Sequence, residues 1–318
     1  YGALLVRQAF PVSERVSAGT PWREMLRVVG ILGALLFVSL MVTELGRVFD
    51  WSLSSRLLLI AGLTGAFGFV ARALGSPLYL ALLLLMIPLA TTELGTDSWI
   101  TDLLTPQMSA LGIAAGWVLV WTSLLMMVLR LFAGPFVRRL TPLGLLAASA
   151  GVAAIGLALL SQATGLAILG AATVYGLGKA FLWPTILGVV AEKFPKGGAL
   201  ALNTVAGVGM LSVGIVGAVF LGQVQDTITA TALRRHDDAH DTALASRYLA
   251  APATSVLGSY QALAADRVAS APAEDRALLQ RIRAGAKQQS LTRVALLPAL
   301  LSGGFLALLL LERRRRAG

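Results

Sequence analysis

Eight stretches of this chain are long and apolar enough to cross a lipid bilayer, and that excludes most folds at once. A hydrocarbon core about 30 Å thick takes about 20 apolar residues in a helix. The stretches lie near 27–47, 56–74, 78–97, 109–130, 143–160, 165–190, 200–222 and 291–311. Lipid offers no water to bond backbone N–H and C=O groups, so each stretch is expected to bond within itself as a helix. The expected fold class is therefore all-α integral membrane protein. A hydrophobic content of 57% against 13% charge belongs to such spans, not to the core of a water-soluble domain.

The distribution of charge gives the orientation. The chain carries a formal net charge of +10. Its basic residues sit mostly in short segments between apolar runs, where they set topology. One side receives Arg7, Arg15, Arg23, Arg27, Arg72, Arg130, Arg138, Arg139, Lys193, Lys196 and Arg313–Arg316. The other receives Arg47 and Arg56 with Asp50, then Asp97 and Asp102, then the neutral turn SQATG. The first side is expected to be cytoplasmic, with both chain ends on it, in the inner membrane. This arrangement leaves no single basic face for nucleic acid. The chain opens on Tyr1, and YGALLVRQ reads as the tail of an apolar helix, so an upstream part is expected.

Charges inside the apolar runs mark the candidate site. An ionisable residue at the bilayer centre costs about 2.5–3.5 kcal/mol on insertion scales, and such residues normally face a polar pathway. Glu93 and Asp97 follow the run at 78–92 and share a helical face if the helix continues past Gly95. A buried carboxylate can exchange protons or accept hydrogen bonds from a solute; the plain alternative is a hydrated edge position. Tyr175, Lys179 and Trp183 form an i, i+4, i+8 stripe that offers hydrogen-bonding groups beside an aromatic platform. The plain alternative for Lys179 is an ion pair with a carboxylate on another helix, Glu93 being the candidate. Pro184 is expected to kink this helix. Trp117 and Trp121, four apart, either stack on a solute ring or face lipid. Asn203 either bonds a solute or joins helices. Glu44 is expected to pair with Arg47. Glycines at 62, 65 and 68, and at 207, 209, 214 and 217, are read as close-packing positions.

The segment 223–290 is a long loop on the outer side. It is Ala-rich and charged in both signs, with helices expected at 226–250 and 273–287 and a start signal at Ser270 and Pro272. It reads as a small helical cap. His236 and His240 are four apart within it, but they lack the HExxH pattern of a zinc hydrolase and read as solvated surface. The chain holds no cysteine and no glycine-rich phosphate loop. No metal, no cofactor and no enzymatic activity are read from it.

Four stretches in order carry a family resemblance: FPVSERVSAG (10–19), ATTELGTDSWI (90–100), RLFAGPFVRRLTPLG (130–144) and YGLGKAFLWPTILGVVAEKFP (175–195). Together they resemble the C-terminal half of a major facilitator superfamily transporter, and within it the sugar:proton symporters related to the fucose permeases. The resemblance covers 78–222 and the last span. It implies a cytoplasmic link at 1–26, a helical bundle over 78–222, and a last span with a basic tail at 291–318. The spans within 27–74 then form an extra transmembrane pair. It implies a cytoplasmic gating loop containing Arg130, Gly134, Arg138 and Arg139, although Arg138 stands where the family usually places an acid. The implied partners are a small solute, a proton, the lipid bilayer and a missing N-terminal half. That absent half holds the family's main proton-binding carboxylates. The implied function is proton-coupled alternating access moving a small polar solute, a sugar in the family. The site residues would be Glu93, Asp97, Tyr175, Lys179, Trp183, Trp121 and Asn203. A membrane scaffold that docks a partner through the cap, and an exporter of a drug-like solute, are the alternatives.

Overall fold

The structure, a computed structural model, describes residues 19, 21–97, 105, 108, 109, 112–114, 116–255 and 258–317. Most of the 10–19 link, the end of the 90–100 motif, Asp102 and parts of the span expected at 109–130 lie outside the described residues. Helices make up almost all of the rest. They are α1 Trp22–Val48, α2 Leu53–Ala71, α3 Pro77–Ala90, α4 Gly116–Leu131, α5 Gly134–Arg139, α6 Pro142–Leu160 and α7 Ala167–Lys179. Then come α8 Leu182–Lys193, α9 Gly198–Ser212, α10 Ala218–His240, α11 Leu244–Tyr248, α12 Ala265–Ala269, α13 Ala273–Val294 and α14 Leu296–Ala317. A two-stranded antiparallel hairpin, β1 Ala253–Ser255 with β2 Gly258–Tyr260, is the described β-structure. Among the described residues, seven helical segments are long and apolar enough to cross a membrane. The chain is thus an all-α protein of multi-pass membrane type.

Four expected spans differ in outline. The helix expected at 109–130 starts at Gly116 and has 16 residues. Gly112 is left-handed (φ 70). Its N–H bonds Ser109 O at 3.0 Å, and Ile113 N–H bonds Met108 O at 3.0 Å, a Schellman closure that stops any helix there. The span expected at 165–190 runs as one segment, Ala167–Lys193, whose hydrogen-bond ladder is interrupted at the two turn residues Ala180 and Phe181. The spans at 200–222 and 291–311 run on into α10 and α13, well beyond a bilayer's thickness.

The chain divides into two compact units. The first holds residues 1–86 and 187–211, the second 87–186 and 212–318. In the first, α1 packs on α2, and Gly30 breaks the regularity of α1 with φ 65 and ψ 177. The N–H groups of Ile31 and Leu32 turn outward to Ala73 O (2.9 Å) and Leu74 O (3.2 Å). Backbone groups released inside lipid must find such partners. Only glycine fits here, because a Cβ at Gly30 would stand 2.1 Å from Gly75 N. Tyr79 donates to Ala201 O at 2.8 Å and meets Phe194 edge to face.

The second unit is built on α6, which packs along both α7 and α14. Small residues permit the approach: a Cβ on Gly156 would lie 2.4 Å from Tyr175 Cα, and one on Gly178 2.2 Å from Ala153 N. Not every expected packing glycine behaves this way. Gly68 meets Ile31, Gly207 meets Phe37 and Gly217 meets Thr91, whereas Gly62, Gly65 and Gly214 face open space. The packed ones sit where a bulky side chain of another helix needs room.

The segment 223–290 is largely helical among its described residues. α10 and α13 pack on each other, α13 begins directly after Pro272 as expected, and residues 241–272 connect them with two short helices and the hairpin. The helix expected to reach residue 250 stops at His240, since Asp241 turns left-handed (φ 53, ψ 45). Asp237 then binds the first N–H groups of α11, from Leu244 at 2.9 Å and Ala245 at 2.7 Å. The cap has its own core of Leu233, Leu244, Tyr248, Leu249 and Leu279.

Candidate functional site

The site grows from two irregular helix segments in the second unit. The first is a π turn, Thr91–Gly95, that follows α3. A π turn frees carbonyls from the regular ladder and is frequent at functional sites. Threonine hydroxyls take these up: Thr91 donates to Ile87 O at 3.0 Å, Thr92 to Pro88 O at 2.8 Å and Thr96 to Thr92 O at 2.6 Å. Gly95 therefore does not end the helix, which continues through Thr96 and Asp97.

The second segment is the break between α7 and α8. The α7 end leaves the Ala180 carbonyl free, and the α8 start leaves the Trp183 N–H free. Phe181 anchors the turn in an apolar cluster with Leu145 and Ala180, its ring 5.3 Å from that of Phe136. Each loose end meets a charge of the favourable sign. Arg130 Nε donates to Ala180 O at 2.8 Å. Glu93 Oε2 accepts from Trp183 N–H at 3.1 Å. A cation at a helix C-terminus and an anion at a helix N-terminus both complement the peptide dipoles. Arg130 and Glu93 also bond each other, Nη2 to Oε1 at 2.9 Å. One arginine and one glutamate thus clamp both ends of a discontinuous helix.

A second ion pair lies beside the first. The Lys179 ammonium donates to Asp97 Oδ1 and stands 5.2 Å from the Tyr175 ring centroid. The Tyr175 hydroxyl donates to Thr92 O and meets Thr96 Oγ1. Burial is uneven. The Lys179 side chain is 2% exposed and that of Glu93 6%, against 32% for Asp97 and 40% for Arg130. Two acids and two bases give the cluster no net charge.

Several expectations change here. Glu93 and Asp97 lie on one continuing helical segment, Glu93 in contact with Arg130 and Asp97 with Lys179. Lys179 pairs with Asp97, not with Glu93. Tyr175 and Lys179 precede the interruption at Ala180–Phe181 and Trp183 follows it. Trp183 contributes its backbone N–H, and the Tyr175 hydroxyl is spent on Thr92 and Thr96. Pro184 has no N–H to offer Ala180 O one turn back, so it frees that carbonyl for Arg130 at the interruption, as expected of it. Arg130, read as a gating-loop residue, turns back onto the cluster. Its place at the head of the run RLFAGPFVRR hid it among loop arginines. Of the rest of that loop, Gly134 opens the short α5, while Arg138 and Arg139 are exposed in its last turn.

Trp121 donates its Nε1–H to Thr173 Oγ1 at 2.8 Å, and Thr173 donates to Leu169 O at 2.7 Å. With Trp117, Met108 and Ile113 they line an apolar cavity of about 370 Å³ whose polar groups bond one another. Asn203 is exposed and belongs to the other unit. Glu44 pairs with Arg47 at 2.5 Å, as expected. His236 and His240 lie with rings 4.1 Å apart, and among the described residues no group of three or more His, Cys, Asp or Glu side chains could hold a metal ion. No family model, no curated protein and no solved structure matches the chain.

Proposed function

We propose that the chain is part of an ion-coupled secondary transporter of a small polar solute, working by alternating access with a proton as the coupling ion. The observation that carries this reading is the discontinuous helix α7–α8, clamped by Arg130 and Glu93 with the Lys179–Asp97 pair beside it. Broken helices with paired charges are how membrane carriers build ion and substrate sites. The ion pairs supply two alternative charge arrangements. Protonating Glu93 releases Arg130 and weakens the anchor on the Trp183 N–H. Protonating Asp97 leaves Lys179 needing a new partner. Either step couples a proton to a change in the helix break.

The resemblance to the major facilitator superfamily supports the rocking of two helical bundles around such a site, and the sugar symporters within it support a sugar as solute. The threonine and tyrosine hydroxyls of the cluster bond within it, whereas Arg130 Nη1 makes no hydrogen bond among the described residues and is the group left to meet a solute. On the same reading the membrane is the cytoplasmic one and the cap lies outside it. The test is solute-driven proton movement in vesicles that contain the complete transporter. Glu93→Gln and Lys179→Ala are expected to abolish proton coupling at normal membrane abundance. Full coupling in both variants removes the cluster from the transport pathway.

A further inference from the structure

Between α10, α13 and described residues of the connecting segment 258–272 lies a cavity of about 540 Å³. Asp226 and Thr229, one turn apart on α10, form one wall. Arg276, Gln280 and Arg283, at i, i+4 and i+7, form the α13 wall. Leu263 and Val268 close it with apolar surface. Arg276 is already committed: its Nη2 donates to Ala269 O at 3.2 Å and to Ala271 O at 2.9 Å, fastening the connecting segment. The Thr229 hydroxyl donates to Gln225 O at 2.8 Å.

The remaining polar groups are uncommitted. Among the described residues, Asp226, Gln280 and Arg283 make no side-chain hydrogen bond and no contact ion pair. Arg283 is nonetheless the cation whose field reaches Asp226. Asp226 is half-buried, whereas Gln280 and Arg283 are exposed on the α13 side, so the carboxylate and the guanidinium face one water-accessible cavity without a contact pair between them. A ligand carrying both signs satisfies both at once. Its carboxylate matches the fork of Arg283, its ammonium donates to Asp226, and Gln280 can serve either group. A neutral sugar leaves both charges unneutralised, and a dicarboxylate sets a like charge against Asp226. The apolar wall of Leu263 and Val268 takes a hydrocarbon side chain.

We infer that the cap binds an α-amino acid with an apolar side chain, its carboxylate on Arg283 and its ammonium on Asp226. This inference does not depend on the transport reading. The test is calorimetric titration of the full chain in nanodiscs with L-leucine, N-acetyl-L-leucine and L-leucinamide, the last two each lacking one charge. L-leucine is expected to bind, and each analogue at least about tenfold more weakly, as loss of a charge-assisted contact gives. Asp226→Asn is expected to weaken L-leucine and leave N-acetyl-L-leucine unchanged. Arg283→Gln is expected to weaken L-leucine and leave L-leucinamide unchanged. Equal affinity for all three compounds, or no L-leucine binding up to about 10 mM, beyond the weak end of specific affinities, overturns the inference. The analogue series uses the unaltered chain, so a variant that fails to fold does not shield it.

Discussion

Lys179 and Asp97 form one ion pair but stand in different surroundings. The lysine is 2% exposed and the aspartate 32%. Removing one partner of a buried pair costs about 3–5 kcal/mol when the charge left behind has no water, and far less when water reaches it. Asp97→Asn should therefore destabilise by about that amount, while Lys179→Met should cost less than about 1 kcal/mol. The double variant should recover most of the loss of Asp97→Asn. Chemical unfolding in mixed micelles reads all three, and equal losses in the two single variants would refute the asymmetry. The sequence marks Glu93, Asp97 and Lys179 as costly in lipid, and that was legible without a structure. It does not say which acid meets which base. Arg130 is the clearer failure, because only the return of its side chain to Ala180 O separates it from Arg138 and Arg139.

Among elements, the pair α6 and α7 shows how small residues set geometry. A methyl group on Gly156 would meet Tyr175 backbone at 2.4 Å, whereas one on Gly62 of α2 meets nothing within 4 Å. Gly156→Ala should cost about 1–3 kcal/mol, as overpacking does, and should shift Tyr175 away from Thr96. Gly62→Ala should be neutral or stabilising by up to about 1 kcal/mol. Thermal melts of both variants in one detergent check the pair, and equal melting points would contradict it. Glycine spacing alone reads the two positions alike. Only the opposing helix tells them apart. In the cap, the Tyr248 hydroxyl donates to Asp275 at 2.6 Å, and this bond to a carboxylate holds the phenol above its usual range, with burial adding to it. The folded-state value is raised, so this contribution is complete below about pH 10, the unfolded value, and disappears as pH rises through the folded value. Tyr248→Phe should remove that alkaline loss, as a pH series of cap unfolding would show.

For the whole molecule, the proposed orientation places the arginine-rich loops on the cytoplasmic side. Phosphatase fused after Ala251 should be active outside the cytoplasmic membrane, and a fluorescent protein fused after Gly318 should fold and glow inside it. The reverse pattern would invert the orientation. Eight spans were read from the sequence; seven of them are long apolar helices among the described residues and the one expected at 109–130 is the shorter α4. Their helical nature and the start of α13 after Pro272 were legible because lipid forces each apolar run to bond within itself and proline suits a helix start. The residues that carry chemistry were legible as types, because a charge in an apolar run is conspicuous. The break between α7 and α8, the π turn at Thr91–Gly95, the pairing of Lys179 with Asp97 and the opposed charges of the cap cavity were decided by the tertiary structure alone. A helix interrupted inside lipid survives only where another helix supplies partners for its free N–H and C=O groups. Those partners, Arg130 and Glu93, are remote in sequence and meet the break only after the chain has folded.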